Sequence, residues 1–315
     1  MLSPAPGAVS AAPRGRGPHR PSPRAGRAWP YLTPLLVLLF AWVYGPALFT
    51  GVLSFLEWNL TGAPGGFVGL ENYARLLREP EFGRAAGQTM LYAVALLPFS
   101  TIVPMFLAIM LWQRPGRAST VYRSLLFLPV MVAPVAVAVS WRFLLNPLQG
   151  LVNEVIGVVG LPPMNWLGNP ASALIVIVLV TAAKVTAFNM LLYSAALSTL
   201  DRRTLQAARL ESASAWETTR FIVIPQLHKT TILLGLLSIV LAGQWVFTNV
   251  SVLTQGGPDG VTDNVYYRIY TLGFEFFETG MASAAAAIVL LFFALASLGW
   301  VLLTRSNLRR SSANR

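Results

Sequence analysis

The sequence predicts an all-α integral membrane protein, built as a bundle of six transmembrane helices. Hydrophobic residues make up 55% of the 315 residues and charged residues only 11%, which is outside the usual range of a water-soluble domain. Six long apolar runs recur along the chain. At about 1.5 Å per residue, about 20 apolar residues cross a hydrocarbon core of about 30 Å as a helix. We therefore expect the chain to lie in a bilayer.

The six predicted spans follow in chain order and cover residues 31–53, 89–112, 121–145, 171–200, 230–253 and 281–304. The first three contain helix breakers, for example Pro98 and Pro104 in the second and Pro129 and Pro134 in the third. Packed membrane helices tolerate such residues because neighbouring groups satisfy the carbonyls that proline leaves free. We interpret these prolines as kinks for packing.

Basic residues are distributed unevenly between the two sides of the predicted bundle. Of the 23 Lys and Arg residues, 17 lie on one side, in the N-terminal tail, the second-to-third connection, the loop at 201–229 and the C-terminus. Only 5 lie on the other side, in the first-to-second, third-to-fourth and fifth-to-sixth connections. The positive-inside rule then makes both termini and the loop at 201–229 cytoplasmic. Because these membrane flanks account for the net charge of +11, and no basic stripe is interleaved with aromatics, nucleic-acid binding is not expected.

Residues 1–28 are rich in Pro, Arg, Gly and Ala and poor in large apolar side chains. Such a segment buries too little surface to fold, so we expect a disordered cytoplasmic tail followed by a transmembrane domain at 29–315. The apolar segment after it is too long for a signal peptide and lacks a clear cleavage site, which favours an uncleaved first span.

Several chemical functions have no residues to carry them. The absence of cysteine excludes thiolate metal sites and cysteine nucleophiles, and the only histidines, His19 and His228, cannot build a metal site or a Ser-His-Asp triad. A P-loop needs Gly-Lys followed by Ser or Thr, but the only lysines, Lys184 and Lys229, follow Ala and His. We predict neither an enzyme nor a bound cofactor or metal, and any ATP would be bound by a partner subunit.

The polar loop between the fourth and fifth spans favours helix from Asp201 to Arg220. Ser212 and Ser214 stand where one short helix can end and a second can be capped. Apolar residues recur at spacings that give each helix one apolar side, which predicts two short helices at the inner membrane surface.

This loop resembles the signature loop of ABC-transporter permeases of the binding-protein-dependent import type, Glu-Ala-Ala, three residues, Gly, nine residues, Ile, one residue, Leu-Pro. Here Gln206-Ala207-Ala208 is followed, at the same spacings, by Ser212, Ile222 and Ile224-Pro225. The resemblance implies that this loop docks on the ATPase. Gln206 would lose the charge-assisted part of the contact that the family's Glu makes, and Ser212 in a left-handed turn would cost about 1–2 kcal/mol.

The resemblance covers about residues 30–305 and narrows to sugar-type permeases, of the maltose and glycerol-3-phosphate kind. Phe55-Leu-Glu-Trp-Asn-Leu and Phe67-Val-Gly-Leu-Glu-Asn-Tyr73 resemble the first external loop of these permeases. Leu253-Thr-Gln-Gly-Gly-Pro258, followed by Tyr266 to Phe277, resembles their last external loop. The resemblance implies a type I importer permease fold and a multi-pass protein of the cell membrane. It also implies cytoplasmic ATPase subunits, a second permease chain in a heterodimer, an extracytoplasmic binding protein, and a path for a carbohydrate or polyol. The expected coupling residues are Gln206, Ala207, Ala208, Glu211, Ser212, Ala213, Ile222 and Pro225; the alternative is an interfacial connector without a partner.

Polar groups within spans usually face a cavity or a neighbouring helix. This makes five residues candidates for a substrate path: Lys184, Asn189, Tyr193, Gln244 and Asn249. For Lys184 we retain three possibilities: an anionic substrate, an acid on a second permease, or a structural charge in a water-filled vestibule. For Asn189 and Gln244 the alternative is interhelical hydrogen bonding. Four aromatic residues are candidates for stacking on a sugar or for helix packing: Trp141, Phe188, Trp245 and Phe247.

Two other functions remain open at this point. A stand-alone secondary transporter or channel for a small polar solute would need ion-coupling carboxylates within its spans, and none are evident. A membrane scaffold without transport activity would show no substrate-stimulated ATP hydrolysis with its partners.

Overall fold

A computed structural model describes residues 29–63 and 65–313. The predicted tail at 1–28 lies outside the described residues. The chain separates into two units, one that ends at Phe49 and one that begins at Thr50.

The first helix, α1, covers Trp29–Leu53 and is apolar enough to span a membrane. A π-helical turn at Phe40–Tyr44 interrupts it. From Trp29 to Phe49 none of its residues is buried. A helix that is hydrophobic on all sides suits contact with lipid or with another membrane protein.

The second unit is helical throughout its ordered elements, and among the described residues the extended structure is limited to one isolated bridge between Leu56 and Phe67. Its helices are α2 (Glu71–Arg78), α3 (Pro80–Gln113), α4 (Arg117–Met131), α5 (Pro134–Leu144), α6 (Leu151–Val158), α7 (Pro170–Ser198), α8 (Arg202–Leu210), α9 (Ala215–Thr218), α10 (Ile224–Asn249), α11 (Val265–Tyr270) and α12 (Thr279–Ala313).

Five helical segments of the described chain are long and apolar enough to span a membrane, or six if the bent pair of α4 and α5 is one span. The third predicted span, 121–145, is this pair, and its two helices meet at 92°. The bend has a local cause. Pro134 has no N–H to donate, and the residue before a proline is driven out of the helical region, as Ala133 shows with φ of −57° and ψ of 132°.

The second predicted span, 89–112, is longer in the structure and begins at Pro80. Its helix is interrupted at Thr101, three residues before Pro104. Because Pro104 cannot donate to the carbonyl of Ser100, that carbonyl needs another donor. The side-chain amide of Asn189 supplies it from α7 at 2.7 Å. The expectation that neighbouring helices satisfy freed carbonyls is therefore confirmed at this position.

The helix α7 lies at the centre of the second unit and is the most buried of the candidate spans. Tyr92 and Val246 join Ile177 in one apolar cluster, which brings α3 and α10 onto one half of α7. A second cluster, around Met190, packs the other half of α7 against the C-terminal part of α3 and the first turns of α10. The three helices thus form the packed core from which the connecting loops project.

At the end of the bundle where α3 begins, a polar cluster holds the connection between α10 and α12, which includes α11, in place. Arg268 of α11 forms an ion pair with Glu79 and approaches Glu81 at 3.7 Å. The hydroxyl of Tyr92 donates to the carbonyl of Thr262 at 3.0 Å. These contacts tie α11 to α2 and α3, at the end opposite the loop between α7 and α10.

Candidate coupling surface and translocation path

The coupling segment, residues 201–225, connects α7 to α10. Asp201 caps α8 because its carboxylate accepts the backbone N–H of Arg203 at 2.9 Å. Ser214 caps α9 in a reciprocal arrangement with Glu217, in which each side chain accepts the other residue's backbone N–H. These two caps mark the starts of the two predicted helices, separated by a turn. Only α8 is a separate short helix, because α9 continues through Thr219–Val223 into α10.

The turn between α8 and α9 is closed by Ser212 in a left-handed conformation, with φ of 56°. The N–H of Ser212 donates to the carbonyl of Arg209 at 3.1 Å, and the N–H of Ala213 donates to that of Ala208 at 3.0 Å. This pair of bonds is the Schellman motif that ends many helices, usually with Gly at the position of Ser212. The predicted left-handed turn is present, and a serine occupies it.

The predicted coupling residues differ in exposure. Ala208 is buried, and Ala213 and Ile222 are partly buried. The others are exposed and lie on the outside of the segment: Gln206, Ala207, Glu211, Ser212 and Pro225. Gln206 also lines a cavity of about 480 Å³ beside α8, together with Trp112 of α3 and Leu197 of α7.

Large apolar side chains are also exposed on the segment. Leu210 is 87% exposed, Trp216 65% and Phe221 69%. Exposed large apolar side chains of this kind are expected at a protein interface or a membrane surface.

The segment is fixed to the core at its second end. The side-chain amide of Gln113, the last residue of α3, donates to the hydroxyl of Thr219 at 2.6 Å. Val223 and Leu227 pack fully buried in the cluster around Met190. A π-helical stretch, Thr219–Val223, joins α9 to α10 without a loop. A displacement of α8 and α9 would therefore act directly on α10 and on the end of α3.

Three of the predicted path residues make interhelical hydrogen bonds and are buried. Asn189 bonds to the Ser100 carbonyl and, at 3.2 Å, to Ser238 of α10. Tyr193 donates to Thr231 at 3.0 Å, and Asn249 donates to Thr181 at 2.8 Å. These bonds connect α7 with α3 and α10, which is the role that interhelical polar residues commonly have.

Lys184 and Gln244, the other two predicted path residues, are less buried. Gln244 is exposed on α10, and Lys184 is partly buried on α7. The ammonium group of Lys184 lies 5.6 Å from the centre of the Trp245 ring. Phe188, one turn along α7, meets the same ring edge-on at 5.8 Å between centroids. The fold thus brings together Lys184 and two of the candidate aromatic residues.

The other two aromatic candidates lie apart from this group. Phe247 packs against Tyr267 and Tyr270 of α11, with ring centroids 6.4 Å and 5.8 Å away. Trp141 of α5 is 37% exposed.

No family model matches the sequence. Curated relatives do match along most of its length. The trehalose/maltose transport system permease protein MalF of Thermococcus litoralis is 32% identical over 266 residues, which is 84% of this chain and 88% of the relative. The sn-glycerol-3-phosphate transport system permease protein UgpA of Pectobacterium atrosepticum is 28% identical over 82% of this chain and 85% of the relative.

The chain belongs to the ABC transporter permease family.

The permease also shares its fold with a solved importer. A chain of a bacterial ABC transporter that imports the acidic polysaccharide alginate superposes with a TM-score of 0.74 at 22% identity, over 90% of this permease and 96% of that chain. The likeness identifies the architecture as that of an ABC importer permease. The permease is accordingly a multi-pass protein of the cell membrane.

One buried polar residue of the permease lies outside the predicted spans, and its structural role is not predicted from the sequence. Asn72 of α2 is 4% exposed and donates to the carbonyls of Ser54 at 2.9 Å and Leu56 at 3.0 Å. Gly280 approaches so closely that a side chain would overlap the Leu56 carbonyl. Asn72 and Gly280 therefore fix the loop after α1 against the starts of α2 and α12. The signal for Asn72 in the sequence is its place in the motif Phe67 to Tyr73.

Proposed function

We propose that this permease forms the translocation path for a carbohydrate or a related polyol in an ABC importer and that its coupling segment docks on a cytoplasmic ATPase subunit. Both termini and the coupling segment face the cytoplasm. The ATPase subunits bind ATP, and the permease itself uses no cofactor. A second permease chain completes the path as a heterodimer, and a binding protein delivers substrate from the other side.

The observation that carries the docking proposal is the construction of the coupling segment. Two capped helices present Gln206, Ala207 and Glu211 to the outside, while the following π-helical stretch continues into α10. A partner that moves this exposed part would move the core helix attached to it. ATP binding drives transport only if the closed ATPase dimer favours one permease state over the other, and this attachment gives it a means of doing so.

The substrate class is supported by the relatives, which are named as transporters of trehalose and maltose, of sn-glycerol 3-phosphate and of lactose. A solved complex of the alginate importer includes a periplasmic protein bound to an alginate pentasaccharide. It supports a binding protein as the partner that brings substrate. The proposal retains Lys184 and Gln244 in the path and assigns Asn189, Tyr193 and Asn249 to helix packing.

Purification of the importer in detergent tests the docking proposal. We expect the permease to retain a P-loop ATPase, and deletion of residues 206–213 to release it. A finer test is Ala207→Arg, because Ala207 is exposed and a long cation there obstructs a partner without disturbing the core. The matched control is Ala63→Arg, at an exposed alanine near the opposite end of the bundle. If the deletion variant or Ala207→Arg retains the ATPase as fully as the wild type, docking through this segment is wrong.

A further inference from the structure

The charge of Lys184 is uncompensated at the middle of a core helix. Lys184 is the midpoint of α7, Pro170–Ser198, and lies fourteen residues from either end. At about 1.5 Å per residue, that is about 21 Å along the axis. A lysine side chain is too short to reach the membrane surface over that distance, so its ammonium group must find water, an anion or an aromatic ring at mid-depth.

Among the described residues, no Asp or Glu side chain forms an ion pair with Lys184. All twelve Asp and Glu residues lie within the described ranges, and the ion pairs that they form there involve only Arg75 and Arg268. The acidic residues of α3 and α9 stand in the first turns of those helices, far from the level of Lys184. The contact found for the ammonium group is the face of Trp245.

The surroundings of Lys184 favour a particular kind of ligand. Trp245 and Phe188 are both partly buried, and their edge-on contact holds the indole ring in place beside the cation. The C–H face of a sugar ring is apolar and packs on an aromatic ring, while its substituents point outward to polar groups. A cation next to such a ring adds a charge-assisted bond for one negative substituent.

We infer that Lys184 and Trp245 form a subsite for an anionic carbohydrate, one that carries a carboxylate or a phosphate group. This inference rests on the proposed function and narrows its substrate class. The sugar ring stacks on Trp245, and the negative group displaces the ammonium of Lys184 from the ring and pairs with it. In this arrangement Lys184 determines specificity and takes no part in coupling to the ATPase.

The test compares three sugars that differ only at carbon 6: galactose, galacturonate and galactose 6-phosphate. Their binding to the assembled importer in lipid nanodiscs is measured by saturation-transfer NMR, without a binding protein, so that the selectivity measured belongs to the membrane subunits. The wild type should bind at least one of the two anions about ten-fold or more tightly than galactose, since a hydrogen bond to a charged group contributes that much. The two anions separately distinguish a carboxylate from a phosphate ligand.

Three variants identify the residue responsible. Lys184→Met should reduce the preference for the anion to about one-fold, and Lys184→Arg should preserve most of it because the charge remains. Lys229→Met, at the chain's only other lysine, exposed on the first turns of α10, is the matched control and should leave the preference unchanged.

Several results would overturn the inference. These are equal binding of all three sugars by the wild type, binding of none of them, or a preference that survives in Lys184→Met. A fourth is that Lys184→Met leaves selectivity intact but dissociates the second permease, which would make Lys184 a partner of an acid there. In each case the ATPase can still be retained through the coupling segment, so the proposed function is tested separately.

Discussion

The backbone at Ser212 allows a quantitative prediction about the coupling segment. A residue other than glycine in the left-handed region costs about 1–2 kcal/mol, and Ser212 adopts φ of 56°. Ser212→Gly removes this cost. It also increases the conformational entropy of the segment when the turn is open, which reduces the gain by about 0.4–1 kcal/mol. The net gain for the closed turn is therefore about 0.5–1 kcal/mol, or about a two- to five-fold lower population of the opened turn.

Amide hydrogen exchange measures this population. The N–H of Ala213 donates to the Ala208 carbonyl across the turn, so it exchanges only when the turn opens. In Ser212→Gly its exchange should slow by about two- to five-fold after correction for the intrinsic rate. Ser212→Ala is the matched control, since it removes the hydroxyl but keeps the Cβ atom, and it should show no slowing. Equal exchange in the Gly and Ala variants would refute the assignment of strain to the backbone of Ser212.

Three further predictions concern thermal stability, followed by the unfolding midpoint in detergent. Asn189→Leu should destabilise by about 1–2 kcal/mol, because it deprives the Ser100 carbonyl, already without the proline's N–H, of its remaining donor. Gly243→Ala should destabilise by about 1–3 kcal/mol, because an added Cβ atom overlaps the Tyr266 ring. Burial raises the pKa of Asp263 from 3.8 to about 6, so the stability from its protonated form is present below about pH 4 and lost as the pH rises through about 6. Over that pH interval the wild type should lose stability while Asp263→Asn does not, so the unfolding midpoint of the variant should rise relative to that of the wild type. Above about pH 6 the difference between the two midpoints should stay constant.

Two of these predictions have a control variant, and the third has an outcome that would contradict it. Gln244→Leu changes an exposed amide on α10 and should leave the midpoint nearly unchanged, in contrast to Asn189→Leu. Gly235→Ala places its Cβ atom at an ordinary 3.6 Å from Thr101 and should be neutral or slightly stabilising. Equal loss from the two glycine variants would contradict the steric argument. A constant difference between wild type and Asp263→Asn across the pH range would show that Asp263 has no raised pKa.

Much of the fold could be predicted because lipid imposes a simple rule on sequence. Apolar length alone located the spans, and short polar sequences with capping residues located α8 and α9. The prediction was less complete where a break depended on neighbouring helices. Prolines occur in both the second and the third spans, yet α4 and α5 meet at 92° while α3 continues past Thr101 with Asn189 beside it. Proline removes a hydrogen bond in each case; in α3 the amide of Asn189 on a neighbouring helix replaces it, whereas before Pro134 the backbone leaves the helical region.

The predicted path residues show the same limit to what the sequence predicts. Asn189, Tyr193, Lys184, Gln244 and Asn249 are all polar residues in apolar spans, and nothing in the sequence separates them. In the structure Asn189, Tyr193 and Asn249 find partners on α3, α7 and α10, whereas Lys184 finds an aromatic ring and Gln244 stays exposed. A polar group in lipid must be satisfied, but its satisfaction depends on which helices are adjacent.

The coupling segment shows which features the sequence determined and which the tertiary structure decided. The sequence alone determined where its two helices begin and that a turn separates them at Ser212, because caps and turns are local properties of the chain. The tertiary structure decided that Thr219 bonds to Gln113 and that the segment continues through a π-helical stretch into α10. It also decided that Lys184 faces Trp245 across two helices. These contacts join residues tens of positions apart, and only the packing of α7 between α3 and α10 brings them within reach.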